Sequence, residues 1–246
     1  MRVLILGGTT EASAIARGLA GDGRYRPVLS MAGRTRAPIA PPVPFRVGGF
    51  GGVTGLAAYL RQESVAALID ATHPFASRIK ANAAEAAALA GVPRVAVLRP
   101  GWAMQAGDRW IDVTSMEEAA AALGTKPRRA FLTVGQQELA PFGPPHHYLL
   151  RSVDPPPNPP AGATIITARG PFNAADDRAL MVAHGIDILV TKNSGGEAVA
   201  GKLEAARVLG IPVVMVARPL PPLPPLVPDA GAALDWLHAQ AALRGV

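Results

Sequence analysis

The sequence of 246 residues predicts an α/β protein made of two doubly wound, parallel-sheet halves. Three observations predict it. Short apolar runs alternate with alanine-rich amphipathic stretches almost from end to end. The stretch "LILGGTTEAS", residues 4–13, passes from a buried strand through two adjacent glycines into a helix. The number of apolar runs suits two sheets better than one.

In chain order, the first half places strands at 2–6, 26–31, 65–70 and 94–98, with helices near 10–21, 53–62, 75–90 and 115–123. Ala12, Ile15, Ala16 and Leu19 follow the i, i+3, i+4, i+7 spacing that gives the first helix one face to lay on a sheet. The second half places strands at 130–134, 147–152, 164–168, 187–191 and 212–216, and helices near 173–184, 196–209 and 230–242. The break is expected in "GTKPRR", residues 124–129, after one helix and before the strand that restarts the pattern, giving domains 1–125 and 126–246. Whether each sheet keeps all its own strands stays open. Proline gathers in "PIAPPVP", "PFGPPHH", "DPPPNPP" and "PLPPLPPLVP", which are expected to be stiffened loops. The glycine loop "GGFGG", residues 48–52, is a surface turn or a lid.

A hydrophobic content of 49% is ample for a packed core. No apolar stretch reaches the length of a membrane span, and the run in "MRVLILGG" is too short for a signal-peptide core. Cysteine is absent, which removes disulfides, thiolate metal sites and thiol nucleophiles together. A cytoplasmic protein is expected, with no membrane partner. The formal charge is +6, but 13 basic and 9 acidic residues in 1–125 against 11 and 9 in 126–246 show a spread excess. No basic run tracks a phosphate backbone, so nucleic acid is not an expected partner.

Chemistry is expected at the carboxyl ends of the strands, where open α/β sheets bind ligands. In the first turn Gly7 and Gly8 let the chain approach a ligand closely, and Thr9 and Thr10 set hydroxyls beside unpaired helix N–H groups. Glu11 opposes a phosphate there unless it caps the backbone or reaches a ribose hydroxyl. A tight structural connection explains the same turn, and the second strand weighs against that. It runs into Ser30, Gly33, Arg34, Thr35 and Arg36 with no acid, where an NAD-preferring fold carries a carboxylate, so a 2′-phosphate is favoured.

After the third strand, "DATHPFA" carries Asp70 and Thr72, expected at the coenzyme, and His73, and Pro74 opens the helix where its missing N–H costs nothing. Arg78 and Lys80 follow on that helix, where a solvated face is the default. In the second half "VTKNSGG" offers Lys192, Ser194 and Gly195 before a helix, a set suited to a carboxylate or phosphate. Arg99, Arg151 and Arg169 follow strands and are expected, with Lys192, to line the edge of the second sheet. His146 and His147 are adjacent and point apart in an extended segment, so no metal site is expected.

"GGTTEA", "DATHPFA", "LTVG", "TKNSGG" and the closing "VVMVARP" resemble, in this order and over essentially the whole chain, the precorrin-6A reductase family of corrin biosynthesis. The resemblance implies two Rossmann-like domains with the active site in a cleft between them. The first would hold NADPH and the second a tetrapyrrole. It further implies hydride transfer to one carbon–carbon double bond of precorrin-6A, giving precorrin-6B, with a proton added to the neighbouring carbon. His73, Arg99, Arg151, Arg169 and Lys192, with Ser194 and Gly195, would clamp the substrate's carboxylates; Arg78, Lys80 and Lys202 are weaker candidates. The proton donor stays open between Tyr25, His73 and a water. A cobalt-containing ring and a non-catalytic NADP-binding sensor are the alternatives. A short-chain dehydrogenase is excluded, because Tyr25, Tyr59 and Tyr148 are followed four residues on by Leu29, Glu63 and Ser152, not lysine.

Overall fold

The computed structural model describes residues 1–33 and 40–245 and resolves into two compact units, residues 1–100 with 219–246 and residues 101–218. In the first unit β1 (Arg2–Leu6) leads into α1 (Thr10–Leu19), followed by β2 (Arg26–Met31), β3 (Phe45–Val47), α2 (Gly52–Gln62), β4 (Ala67–Asp70), α3 (Ser77–Ala90) and β5 (Arg94–Val97). The second unit holds β6 (Trp110–Val113), α4 (Met116–Ala121), β7 (Arg129–Leu132), β8 (His147–Ser152), β9 (Thr164–Thr167), α5 (Ala174–Ala183), β10 (Ile188–Lys192), α6 (Gly201–Leu209) and β11 (Val213–Val216). The chain then returns to the first unit with β12 (Leu226–Val227) and α7 (Ala230–Ala242).

Both sheets have six strands and every pairing is parallel. The first runs β3-β2-β1-β4-β5-β12 and the second β9-β8-β7-β10-β11-β6. Five strands of each sheet follow the same doubly wound order, reversing between β1 and β4 in one and between β7 and β10 in the other. The sixth strand is exchanged. β6, which follows β5 in the chain, pairs with β11, while β12, which follows β11, pairs with β5. Each takes its helix along: α4 packs on β6 and β11, and α7 on α1, β4 and β5.

This exchange moves the domain boundary. The break expected at 124–129 lies inside the second unit, between α4 and β7, and the chain crosses at 100/101 and again at 218/219. All nine expected strands and all seven helices are present. The three strands not foreseen are β3, β6 and β12, two to four residues long. All three lie at sheet edges, where Phe45, Val47, Ile111 and Leu226 remain exposed, so none leaves a continuous apolar run in the sequence.

Alternation along β1 builds the first core. Val3 and Ile5 pack with Ile15 and Leu19 of α1 and with Ala233 and Leu237 of α7, while Leu4 and Leu6 pack with Leu56 and Leu60 of α2 and Ala83 and Ala87 of α3. Each of these buried Val, Leu and Ile side chains contributes about 1.5–3 kcal/mol relative to exposure. In the second unit Phe131, Leu149, Leu189, Val213 and Met215 form the corresponding face with Met181, Leu203 and Ala206. These cores fix the strand ends, and the strand ends position the candidate site.

Candidate functional site

At the carboxyl end of β1 the chain turns through Gly7 and Gly8 into α1. Gly7 donates its N–H to Ser30 O at 2.9 Å, and a Cβ on it would stand 2.6 Å from Leu29 Cδ1. Gly8 has φ +112°, and a Cβ there would meet nothing within 4 Å. The turn therefore lies close to β2 on one side and open on the other. Thr9 caps α1, accepting from Ala12 N–H at 3.2 Å, and its hydroxyl donates to Ala71 O at 2.7 Å. That hydroxyl ties the turn after β1 to the turn after β4. Thr10, exposed, donates to Glu11 Oε2 at 3.2 Å, and the N–H groups of Thr10 and Glu11 have no intrahelical acceptor.

Glu11 is neutralised by Arg99, whose Nη1 donates to both carboxylate oxygens at 2.8 and 2.9 Å. Burial raises the Glu11 pKa, but the Arg99 hydrogen bonds, the Glu11 backbone N–H, the Arg99 charge and the Thr9 hydroxyl together outweigh it and leave the carboxyl below its ordinary value. The repulsion expected between Glu11 and a phosphate is thereby offset. Arg99 itself follows β5 and belongs to the first unit, not to the edge of the second sheet. The reason is that β5 pairs with β4, which keeps its C-terminal turn beside the N-terminus of α1.

The end of β2 carries Ser30, buried, whose Oγ accepts from Arg46 Nη1 at 2.8 Å. Arg46, on β3 opposite Ser30, also donates to Gly48 O and Gly49 O at 3.0 Å and lies 3.9 Å from the centroid of the Phe50 ring. It is a cation at the expected coenzyme edge that sequence reasoning missed, because β3 is three residues long and follows prolines. Gly33 follows β2 with φ +74°, and Arg34, Thr35 and Arg36 lie outside the described residues.

Asp70 and Thr72, expected at the coenzyme, are turned inward. Asp70 is fully buried; its Oδ1 accepts from Thr72 N–H at 3.1 Å and Thr72 Oγ1 at 2.6 Å. Lys80, expected on a solvated face, is also buried, with Nζ 3.5 Å from both Asp70 oxygens. Burial lowers the Lys80 pKa, and Asp70 works against that shift. This pair underlies the turn bearing His73, which is half-buried; Phe75 N–H donates to its Nδ1 at 3.3 Å. The neutral imidazole accordingly carries its proton on Nε2. Arg78 is exposed on α3.

Tyr25 stands at the other edge. It precedes β2 at the amino end of the sheet, is buried, and its hydroxyl lies 2.6 Å from His238 Nδ1. It cannot reach a ligand at the carboxyl ends and is withdrawn as a proton donor. A groove of about 520 Å³, lined by Met1, Arg2, Arg24, Arg26 and Glu63, lies on that same amino edge, remote from the glycine turn.

In the second unit Lys192 ends β10, and its Nζ donates to Glu138 Oε1 and Oε2 at 2.8 and 2.7 Å. Ser194 and Gly195 are buried in the following turn, which Asn193 holds. Its Oδ1 accepts from Trp102 N–H at 2.7 Å, its Nδ2 donates to Trp102 O at 3.0 Å, and Trp102 Nε1 donates to Gly196 O at 3.1 Å. Asn193 stands between the two residues that the motif did bring forward. Arg169 is exposed beyond β9.

Arg151 and Lys202 are not open to a ligand. Arg151 is buried in an ion pair with Asp177 and stacked 3.6 Å from the centroid of the Phe172 ring. Lys202 is buried, donates to Val199 O at 2.7 Å and lies 4.8 Å from the centroid of the Trp102 ring. Burial, and then the Arg151 charge, lower its pKa to about 7 against the attraction of Asp177. Between about 7 and the ordinary lysine value of 10.5 the unfolded chain binds a proton that the fold does not, so stability rises with pH across that window. The slope is at most about 1.4 kcal/mol per pH unit. Thermal unfolding of Lys202→Met is expected to lack this rise, and equal slopes in both proteins would place a charged ammonium in the fold.

A family model described as "Precorrin-6x reductase CbiJ/CobK" matches residues 2–238. The chain is 51% identical over 238 residues to a precorrin-6A reductase of Sinorhizobium sp., covering 95% of this chain and 91% of that one. It is 48% identical over 250 residues to the precorrin-6A reductase of Rhodobacter capsulatus, covering 100% and 99%. The solved structure of a CobK precorrin-6A reductase superposes with a TM-score of 0.92 at 48% identity, covering 98% of this chain and 97% of that one.

Proposed function

The chain belongs to the precorrin-6x reductase CbiJ/CobK family, and from that membership we infer that it is a precorrin-6A reductase, an oxidoreductase that saturates one carbon–carbon double bond of a tetrapyrrole. The family match carries the reading. A reduced nicotinamide coenzyme supplies the hydride when bound, and we take it to be NADPH.

The first unit's residues fit such a coenzyme. Gly8 adds no side chain on the open side of the turn, the first N–H groups of α1 have no acceptor within the helix, and Arg99 offsets the one carboxylate that would repel a phosphate. Ser30 and Arg46 put a hydroxyl and a cation, and no acid, at the end of β2. Thr9, Asp70 and Thr72 act behind that surface by fixing the turns. His73 is the titratable side chain we assign to protonation of the neighbouring carbon; it gives its proton as the imidazolium and returns to the neutral ring. In the second unit Lys192, Ser194, Gly195 and Arg169 are the groups we assign to the substrate's carboxylates.

Oxidation of NADPH in the presence of precorrin-6A, followed by the loss of its near-ultraviolet absorbance, tests the activity. No oxidation would remove it. Arg34→Glu tests the coenzyme choice: NADPH affinity is expected to fall about 10- to 100-fold, the loss of one charge-assisted contact, with NADH little changed. Equal loss for both coenzymes would remove the 2′-phosphate contact.

A further inference from the structure

The second sheet reverses its strand order between β7 and β10, the crevice where open α/β sheets take ligands. A carboxylate from the chain itself sits there. Gly135, just past β7, donates its N–H to Glu138 Oε2 at 2.7 Å, and Lys192, at the end of β10, donates to both oxygens of the same carboxylate. Glycine at 135 leaves room for the carboxylate: a Cβ there would stand 2.9 Å from Glu138 Oε2, so a side chain would push it aside. The Glu138 side chain is 28% exposed and that of Lys192 13%, so the acid has a path to solvent and the ammonium stays behind.

We propose that Gly135 N–H and Lys192 Nζ form a carboxylate subsite for one acidic arm of the tetrapyrrole, and that Glu138 is its internal stand-in, displaced when that arm binds. The inference rests on the tetrapyrrole reading above. Exchanging one carboxylate for another conserves the ion pair and the backbone hydrogen bond, so displacement is nearly balanced, and the released Glu138 regains water. An uncharged arm makes a poorer exchange, since it brings no charge to replace that of Glu138. The subsite therefore selects for acids, and Glu138 lowers the affinity of every acid it admits.

The opposite reading is that Glu138 merely pins Lys192 in place, and the two differ in sign. Precorrin-6A is titrated without coenzyme into the full-length wild-type protein and into Glu138→Gln, Glu138→Ala and Lys192→Met, with NADPH binding as the control for folding. Glu138→Gln keeps an oxygen for Gly135 N–H and removes only the competing charge. It is expected to bind the tetrapyrrole about three- to tenfold more tightly, Glu138→Ala to move in the same direction, and Lys192→Met to bind about tenfold more weakly. Weaker or unchanged binding in both Glu138 variants, with Lys192→Met weakened, would make Glu138 a pin and overturn the proposal alone. Failure of the wild-type protein to bind precorrin-6A while it binds NADPH would overturn the tetrapyrrole reading, and the subsite with it.

Discussion

Asp177→Ala is expected to destabilise the second unit by about 3–5 kcal/mol, the cost of stranding a buried charge. The Asp177 side chain is 1% exposed and faces Arg151, itself 8% exposed and held against Phe172 and Phe131. Lys202, equally buried, feels the same carboxylate as its attraction and Arg151 as its repulsion. Removing Asp177 leaves the Arg151 guanidinium without its anion in an apolar layer. The loss is a large share of the about 5–15 kcal/mol that domains typically possess. Replacing both Arg151 and Asp177 with leucine is expected to recover most of it, because well-packed apolar residues can match a buried pair. Urea unfolding of the three variants decides the matter. A loss under about 1 kcal/mol for Asp177→Ala would mean that Arg151 is solvated after all and open to a ligand carboxylate.

Arg151 shows where the sequence stops being legible. Its strand, β8, is visible as an apolar run and its bounds match the expectation, but a sequence displays charge without burial. Arg151, Lys80, Lys202 and Arg99 all look like open cations, and each is turned to a partner inside the fold: Asp177, Asp70, Val199 O with the Trp102 ring, and Glu11. The turns themselves were legible, because glycine pairs, a helix-opening proline and a capping threonine are local chemistry. Glu138 had a local signal too, three residues after Gly135 at a strand-to-helix turn, yet its contact with Lys192 spans 54 positions. The exchanged strands were invisible for a different reason. β6 and β12 are short edge strands, and which sheet an edge strand joins is set by long-range pairing that no periodicity records.

The same physics gives the second large effect, beneath the His73 turn. Lys80→Met leaves Asp70 fully buried without its ion-pair partner and is expected to cost about 3–5 kcal/mol. Asp70→Asn fails for the complementary reason. Both Thr72 bonds go to Oδ1, so an asparagine keeps them, but its amide nitrogen would take the place of Oδ2 and face the Lys80 ammonium, donor against donor. The double variant Asp70→Asn, Lys80→Met removes that conflict while keeping the oxygen that holds Thr72, and is expected to be more stable than either single variant. A double-mutant cycle in urea should return a coupling of about 2 kcal/mol or more, within the range for residues in contact. Its activity then separates two roles for Asp70. If the carboxylate only supports the turn that carries His73, the double variant binds coenzyme and reduces precorrin-6A nearly as the wild type does. If coenzyme affinity falls in the double variant although stability has returned, Asp70 contacts the coenzyme directly, and the inward-facing geometry would have to open on binding.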